Sequence, residues 1–149
     1  SFWDLGNSDY TAIWLVQFTP SIHRLDQINL VGYIQDNMEG VRFYKNKLDE
    51  WQALNDITFA GHYIPHDGAN HHYAYDISPT NYQKIGKKLG IKLNVMKRIS
   101  KKDIAVEQAK AIMNRVVINK TPCNLGIECL RNYSKKYKRR KERNSNKGR

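Results

Sequence analysis

The chain has 149 residues, 40% hydrophobic and 26% charged, with a formal net charge of +11. That length is one domain's worth and enough to bury a core, and the composition excludes a fibrous or low-complexity protein. No apolar run approaches the ~20 residues that span a bilayer, so no membrane partner is expected. No signal peptide is legible, and the start at Ser1 without a Met reads as the edge of a piece cut from a longer protein.

In chain order, Phe2 to Leu5 reads as a strand end, and Gly6-Asn7-Ser8-Asp9 as a turn cluster. Tyr10 to Phe18 is rich in β-branched and aromatic residues, and Ile28 to Ile34 repeats that pattern after a hairpin connection through Pro20 and Asp26. From Asn37 to Leu54 the period changes. Val41, Tyr44, Leu48 and Trp51 fall on one helical face, and Glu39 sits where the first turn would begin. Ile57 to Ile64 is a strand ended by Pro65. Pro79 to Leu89 is a short helix with Ser78 as its N-cap and Gly90 just past its end. Ile91 to Met96 is a strand. Ser100 and Asp103 have capping spacing for a helix through Asn114, with Ala105, Ala109, Ile112 and Met113 on its apolar face. Arg115 to Ile118 is a short strand, and Leu125 to Tyr137 a final helix. The order β-β-β-α-β-α-β-α-β-α predicts an α/β fold: a mixed sheet, antiparallel in its first strands, with helices on both faces.

The charge is uneven. Residues 131 to 149 hold ten Lys/Arg against one acid, whereas residues 1 to 130 hold fifteen against thirteen. We therefore divide the chain into a folded domain, 1–133, and a basic tail without regular structure, 134–149. A single-signed tail beside a near-neutral body argues for an anionic partner, with nucleic acid favoured. Cys123 and Cys129 are six residues apart, about 1.7 turns of a helix, so they face away from each other and a mutual disulfide is not expected.

Asp4 and Asp67 each follow an apolar strand segment. Carboxylates at strand ends of an α/β sheet face a common crevice, and hard cations such as Mg²⁺ and Mn²⁺ take carboxylate oxygens. A lone strand-end Asp is ordinarily a turn former, so the surrounding residues decide. Trp3-Asp4-Leu5-Gly6, followed by Asp9, Thr11, Ala12 and Ile13, resembles the first nuclease motif of phage terminase large subunits. Tyr63-Ile64-Pro65-His66-Asp67-Gly68-Ala69 resembles their second. Cys123, Gly126, Ile127, Leu130 and Tyr133 resemble their later helix.

The resemblance implies a ribonuclease H-like fold and a two-metal endonuclease (Mg²⁺ or Mn²⁺) that cuts concatemeric double-stranded DNA during genome packaging. It implies Asp4 and Asp67 as catalytic metal ligands, and Asp9 as loop support with possible metal contact. The wider setting it implies is an ATPase domain, a small terminase and a portal as partners in the cytoplasm of an infected bacterium. The family's third acid comes in a late Ser-His-x-x-Asp pattern that this chain lacks, so an incomplete site with weak or no activity is expected; Glu128 is a distant substitute.

Other chemistries are less well supported. His62, His66, His71 and His72 surround Asp67 in sequence, but no Cys-x₂-Cys pairing backs a zinc site. His66 reads instead as a residue that orients Asp67. No Gly-rich phosphate loop is present, so no nucleotide is expected in this domain. Lys97, Arg98, Lys101, Lys102, Lys138, Arg139 and Arg140 are candidate DNA contacts, with Lys84, Lys87 and Lys88 nearby. The alternatives kept open are another ribonuclease H-like nuclease, such as a junction resolvase, and a catalytically incomplete nucleic-acid-binding domain.

Overall fold

Alternation in Tyr10–Thr19 puts Thr11, Ile13 and Leu15 on one side of a strand and Ala12, Trp14 and Val16 on the other. Helices pack against both of those faces. A computed structural model describes residues 1–6, 10–20, 26–69, 81–99 and 101–132, the side chain of Lys102 excepted. Its strands are β1 (Phe2–Asp4), β2 (Tyr10–Thr19), β3 (Gln27–Asn37), β4 (His62–Ile64), β5 (Leu93–Val95) and β6 (Val116–Ile118). Its helices are α1 (Val41–Asn55), α2 (Tyr82–Lys88), α3 (Lys102–Ile112) and α4, which covers 124–132.

The sheet runs β5-β4-β1-β2-β3-β6. β1, β2 and β3 are antiparallel neighbours, while β4 is parallel to β1, β5 to β4, and β6 to β3. All strands except β2 therefore point the same way, and their C-terminal ends share one edge. The chain is α/β with a mixed sheet whose first strands are antiparallel, and this order is consistent with a ribonuclease H-like arrangement.

α1 covers the face of β2 that carries Ile13 and Leu15. Its Val41, Tyr44 and Leu48 are buried, as the helical spacing predicts, with Trp51 half-buried beside them. Trp3, Ile64, Tyr82, Ile85, Ile91 and Leu93 complete that core. α4 lies against the opposite face. A Cβ on Gly126 would meet Trp14 at 2.5 Å and Tyr33 at 2.8 Å, so the helix approaches the sheet at van der Waals distance only because that side chain is missing. Cys123 is buried on the same helix face, its thiol donating to the Leu30 carbonyl, and neither cysteine is in a disulfide.

Several sequence expectations shift. α1 starts at Val41 behind Gly40, so Glu39 lies before the first turn, which has no acid. β4 is shorter than the apolar run from Ile57. Asp56 caps α1 in the left-handed region, and the Ile57 and Phe59 amides then donate to the Gln52 carbonyl and side chain. Donors spent on a helix end cannot enter a ladder.

The cap of α2 is Asn81, whose side chain accepts from the Lys84 amide at 2.9 Å. Ser78 and Pro79 lie outside the described residues, as does Ser100. α3 begins after Lys101, which makes no side-chain capping bond, with Asp103 in its first turn. On α3 the expected apolar face does not reach the core: Ala109, Ile112 and Met113 are exposed and Ala105 is only half-buried.

Two substitutions test this packing. Leu48→Ala removes a side chain that is 1% exposed, and should lower unfolding free energy by about 2–5 kcal/mol. Gly126→Ala should cost about 1–3 kcal/mol through overpacking against Trp14 and Tyr33. Urea denaturation measures both, with Leu54→Ala on the exposed side of α1 as the reference that stays within about 0.5 kcal/mol.

Candidate metal-binding carboxylate site

The parallel pairing of β1 with β4, registered at Phe2 and Tyr63, aligns the ends of the two strands. Asp4 closes β1. Asp67 sits three residues past β4, in a single 3₁₀ turn over His66–Ala69. The two carboxylates therefore meet at the shared C-terminal edge.

That turn is tightly fixed. The Gly68 amide donates to the Pro65 carbonyl at 3.0 Å. A Cβ on Gly68 would meet Ile64 at 2.6 Å and Leu5 at 3.0 Å, so the turn lies directly on the core. Asn81 is buried, caps α2 with its oxygen, and donates from Nδ2 to the Ala69 carbonyl at 2.8 Å. One side chain thus ties the start of α2 to the turn that carries Asp67. Sequence reading missed Asn81, although an Asn just ahead of a helical run is a recognised capping signal.

The electrostatics follow from this geometry. Asp4 keeps an open side toward solvent. Partial burial of its carboxyl, and then the negative charge of Asp67, raise its pKa above the usual carboxylate value. Asp67 Oδ1 is buried and has no hydrogen-bond donor among the described residues. A buried acceptor with no donor is costly unless a proton or a cation meets it.

A second group joins Asp4 from the side. Asp4 pairs with Ala12, and Ala12 with Gln35, so the three side chains form one row on the face covered by α4. The small Ala12 leaves the floor between Asp4 and Gln35 low. Gln35 Oε1 accepts from the Tyr33 hydroxyl at 2.6 Å and from Cys129 Sγ at 3.3 Å. Burial, then Cys129, then the charge of Asp4 hold the Tyr33 phenol protonated well above its usual range. Nothing in the sequence marks these residues. Only the β2–β3 register, shifted by an irregularity at Leu15/Val16, brings them level with Asp4.

The remaining candidates are placed as follows. His66 is exposed in the turn, and Asp67 Oδ1 receives no hydrogen bond from it. His62 lies at the opposite end of β4. Its Nδ1 is 2.8 Å from Ser1 Oγ, and burial, then the positive amino terminus, lower its pKa to about 4. Of the histidines near Asp67 in sequence, His62 is thus carried away from it; His71 and His72 lie outside the described residues.

Glu128 is exposed on α4 and accepts from Asn124 at 3.3 Å, apart from the two aspartates. Lys97 and Arg98 are exposed where β5 exits beside the turn, since the Met96 amide still donates to the Ile64 carbonyl. Lys101 is exposed at the start of α3. Asp9, Lys138, Arg139 and Arg140 lie outside the described residues. Among the described residues no group of three or more His, Cys, Asp or Glu is arranged to hold a metal ion, and no helix is long and apolar enough to cross a membrane.

No protein-family model, curated protein or solved structure matches the chain.

The pair makes a pH prediction. Asp4 has a raised pKa in the folded state, so its ionisation opposes folding. Its penalty is absent below the unfolded pKa, 3.8, and grows as pH rises through the higher folded value. Asp4→Asn should therefore be at least as stable as the parent at pH 7 without divalent cations, and the two should converge in acid. In Asp67→Asn, the Asp4 carboxyl should titrate lower than in the parent yet still above 3.8, because burial remains. Carbon-detected NMR titration of the aspartates reads the shift; an unchanged Asp4 midpoint would separate the two groups.

Proposed function

We propose that this chain is a divalent-metal-dependent endonuclease domain of the viral terminase large-subunit type, acting on double-stranded DNA during genome packaging. The observation that carries the reading is the pair itself: Asp4 and Asp67 converge at the ends of adjacent parallel strands, and Asp67 Oδ1 is buried with no donor among the described residues. The residues present fit a cation. Two like charges at one edge, one of them with an unsatisfied oxygen, are relieved by positive charge more readily than by water. The terminase-like motifs around Asp4 and Asp67 add the family and the DNA substrate.

In this reading Asp4, on the open side, and Asp67 are the residues that would hold Mg²⁺ or Mn²⁺. The metal would supply activation of a water and stabilisation of the leaving oxygen of a phosphodiester. The chain's own contribution is position. The Pro65–Gly68 turn and the Asn81 bond fix Asp67 against the core. The strand ladder fixes Asp4, and the low floor at Ala12 leaves room for a phosphate beside it. His66, exposed next to Asp67, is assigned to orienting it once a cation is bound.

A second reading, a nucleic-acid-binding domain with an incomplete site, is favoured by one fact. Among the described residues no third acid joins the pair.

Plasmid nicking with Mn²⁺ and with Mg²⁺ tests both. Losing even an outer partner of a metal ligand costs about 10–100-fold in affinity or activity, so Asp4→Ala and Asp67→Ala should each reduce nicking to background. Nicking that survives both substitutions would sink the two-carboxylate mechanism. DNA binding without nicking, and without a Mn²⁺-dependent rise in melting temperature, would favour the second reading.

A further inference from the structure

Residues 77–102 contain eight Lys/Arg and no Asp/Glu, while the rest of residues 1–130 contains seven against thirteen. The near-neutral body is therefore divided into one segment of +8 and a remainder of −6.

The fold puts the part of that segment from Asn81 to Ile99 along one margin of the sheet. β5 is the outermost strand of the sheet and α2 packs beside it. Lys84 and Lys87 of α2 and Lys92 just before β5 line an open cleft of about 600 Å³ with Gln83, Gly90 and Asn94. Lys88 is exposed on the same helix, and Lys97 and Arg98 extend the margin to the edge where Asp4 and Asp67 lie. From Lys92 to Lys97 the extended chain covers roughly 16 Å at ~3.3 Å per residue.

Ion pairs among the described residues include Lys45–Asp49, Lys47–Glu50 and Lys110–Glu107; Lys45 and Asp49 share a cleft with Lys92 at the flank of this margin, and their charges cancel each other. Among the described residues no ion pair joins the α2 lysines, Lys92, Lys97 or Arg98 to an acid. An ordinary solvated helix face mixes signs; here α2 and the chain entering and leaving β5 carry a single sign.

We propose that the β5–α2 margin is a phosphate-tracking strip that holds the sugar–phosphate backbone of duplex DNA and leads it to the carboxylate edge. The strip rests on the nuclease reading for the identity of its ligand. The acidic remainder of the body repels a duplex from other approaches, so the strip sets orientation as well as affinity. Lysine ammonium groups on flexible stems suit phosphate contact without reading bases.

The test is fluorescence anisotropy of a labelled random-sequence duplex with the full 149-residue chain, without divalent cations, between about 50 and 200 mM salt. The strip variant is Lys84→Gln with Lys87→Gln and Lys92→Gln. The charge-matched control is Lys47→Gln with Lys110→Gln and Lys120→Gln, the last beside β6 at the opposite edge of the sheet. Each lost phosphate contact removes about 1 from the log–log salt slope, so the strip variant should lose about 3 and weaken binding by roughly tenfold or more. The control should leave the slope near that of the parent.

Equal weakening by both variants would reduce the effect to net charge and overturn the strip, as would an unchanged slope in the strip variant. Loss of polyglutamate binding with duplex binding retained would reassign the margin to an acidic protein and equally overturn it. Thermal melting confirms that the exposed substitutions leave the fold intact; the single variants Lys84→Gln and Lys92→Gln serve if the triple does not fold. Strip-dependent binding without nicking removes the nuclease reading and leaves the strip. Nicking that needs Asp4 and Asp67 but ignores the strip substitutions does the reverse.

Discussion

The parallel contact between β1 and β4 is the constraint on which the site depends. It joins segments some sixty residues apart through a single registered pair, Phe2 with Tyr63, supported by the Tyr63 amide on the Ser1 carbonyl at 2.8 Å and by the stacked rings of Phe2 and Tyr63. The pleat then decides the rest. Trp3 and Ile64 go into the core under α1, while Phe2, Tyr63 and Asp4 stand on the α4 face. A slip of one residue would send Asp4 into the core and Trp3 toward solvent, so burial of Trp3 and Ile64 fixes the carboxylate edge. Distant apolar residues thereby hold two like charges together that would otherwise move apart.

Much of the architecture was legible because it is written in local periodicity. The period-2 pattern of Tyr10–Thr19 and the helical face of Val41, Tyr44 and Leu48 gave the element order and the inner face of α1. Asp4 and Asp67 stood out because strand-like residues end beside them. What was illegible is non-local. The length of β4 is set by Gln52, on another element, taking the amides of Ile57 and Phe59. The position of Gln35 and Tyr33 beside Asp4 depends on a register irregularity in the β2–β3 hairpin that no pattern of polarity announces. His62 looked like part of a cluster because it is near Asp67 in sequence; a strand carries it to the far end.

Asn81 shows how packing and site are coupled. Its two hydrogen bonds satisfy a helix N-terminus and a turn carbonyl at once, and the turn is the one that carries Asp67. Gly68 serves the same end from below, by leaving no Cβ between the turn and Ile64. The carboxylate whose Oδ1 lacks a donor among the described residues therefore sits on a backbone held by these contacts. A buried acceptor without a donor is relieved by positive charge.

That buried acceptor and the basic margin are complementary parts of one electrostatic arrangement. Two carboxylates alone would repel a phosphodiester, and cations alone would bind it anywhere. Because β5 is parallel to β4, the strand that ends beside the Asp67 turn also delivers Lys97 and Arg98 to the same edge. Sheet topology thus sets cationic residues next to the anionic pair, with no direct ion pair between them among the described residues. In the proposed reading, a polyanion drawn along the margin would meet the carboxylates only at its end, where a bound divalent cation would convert repulsion into attraction. The same strand order that makes the core continuous keeps the two charges adjacent but unmixed.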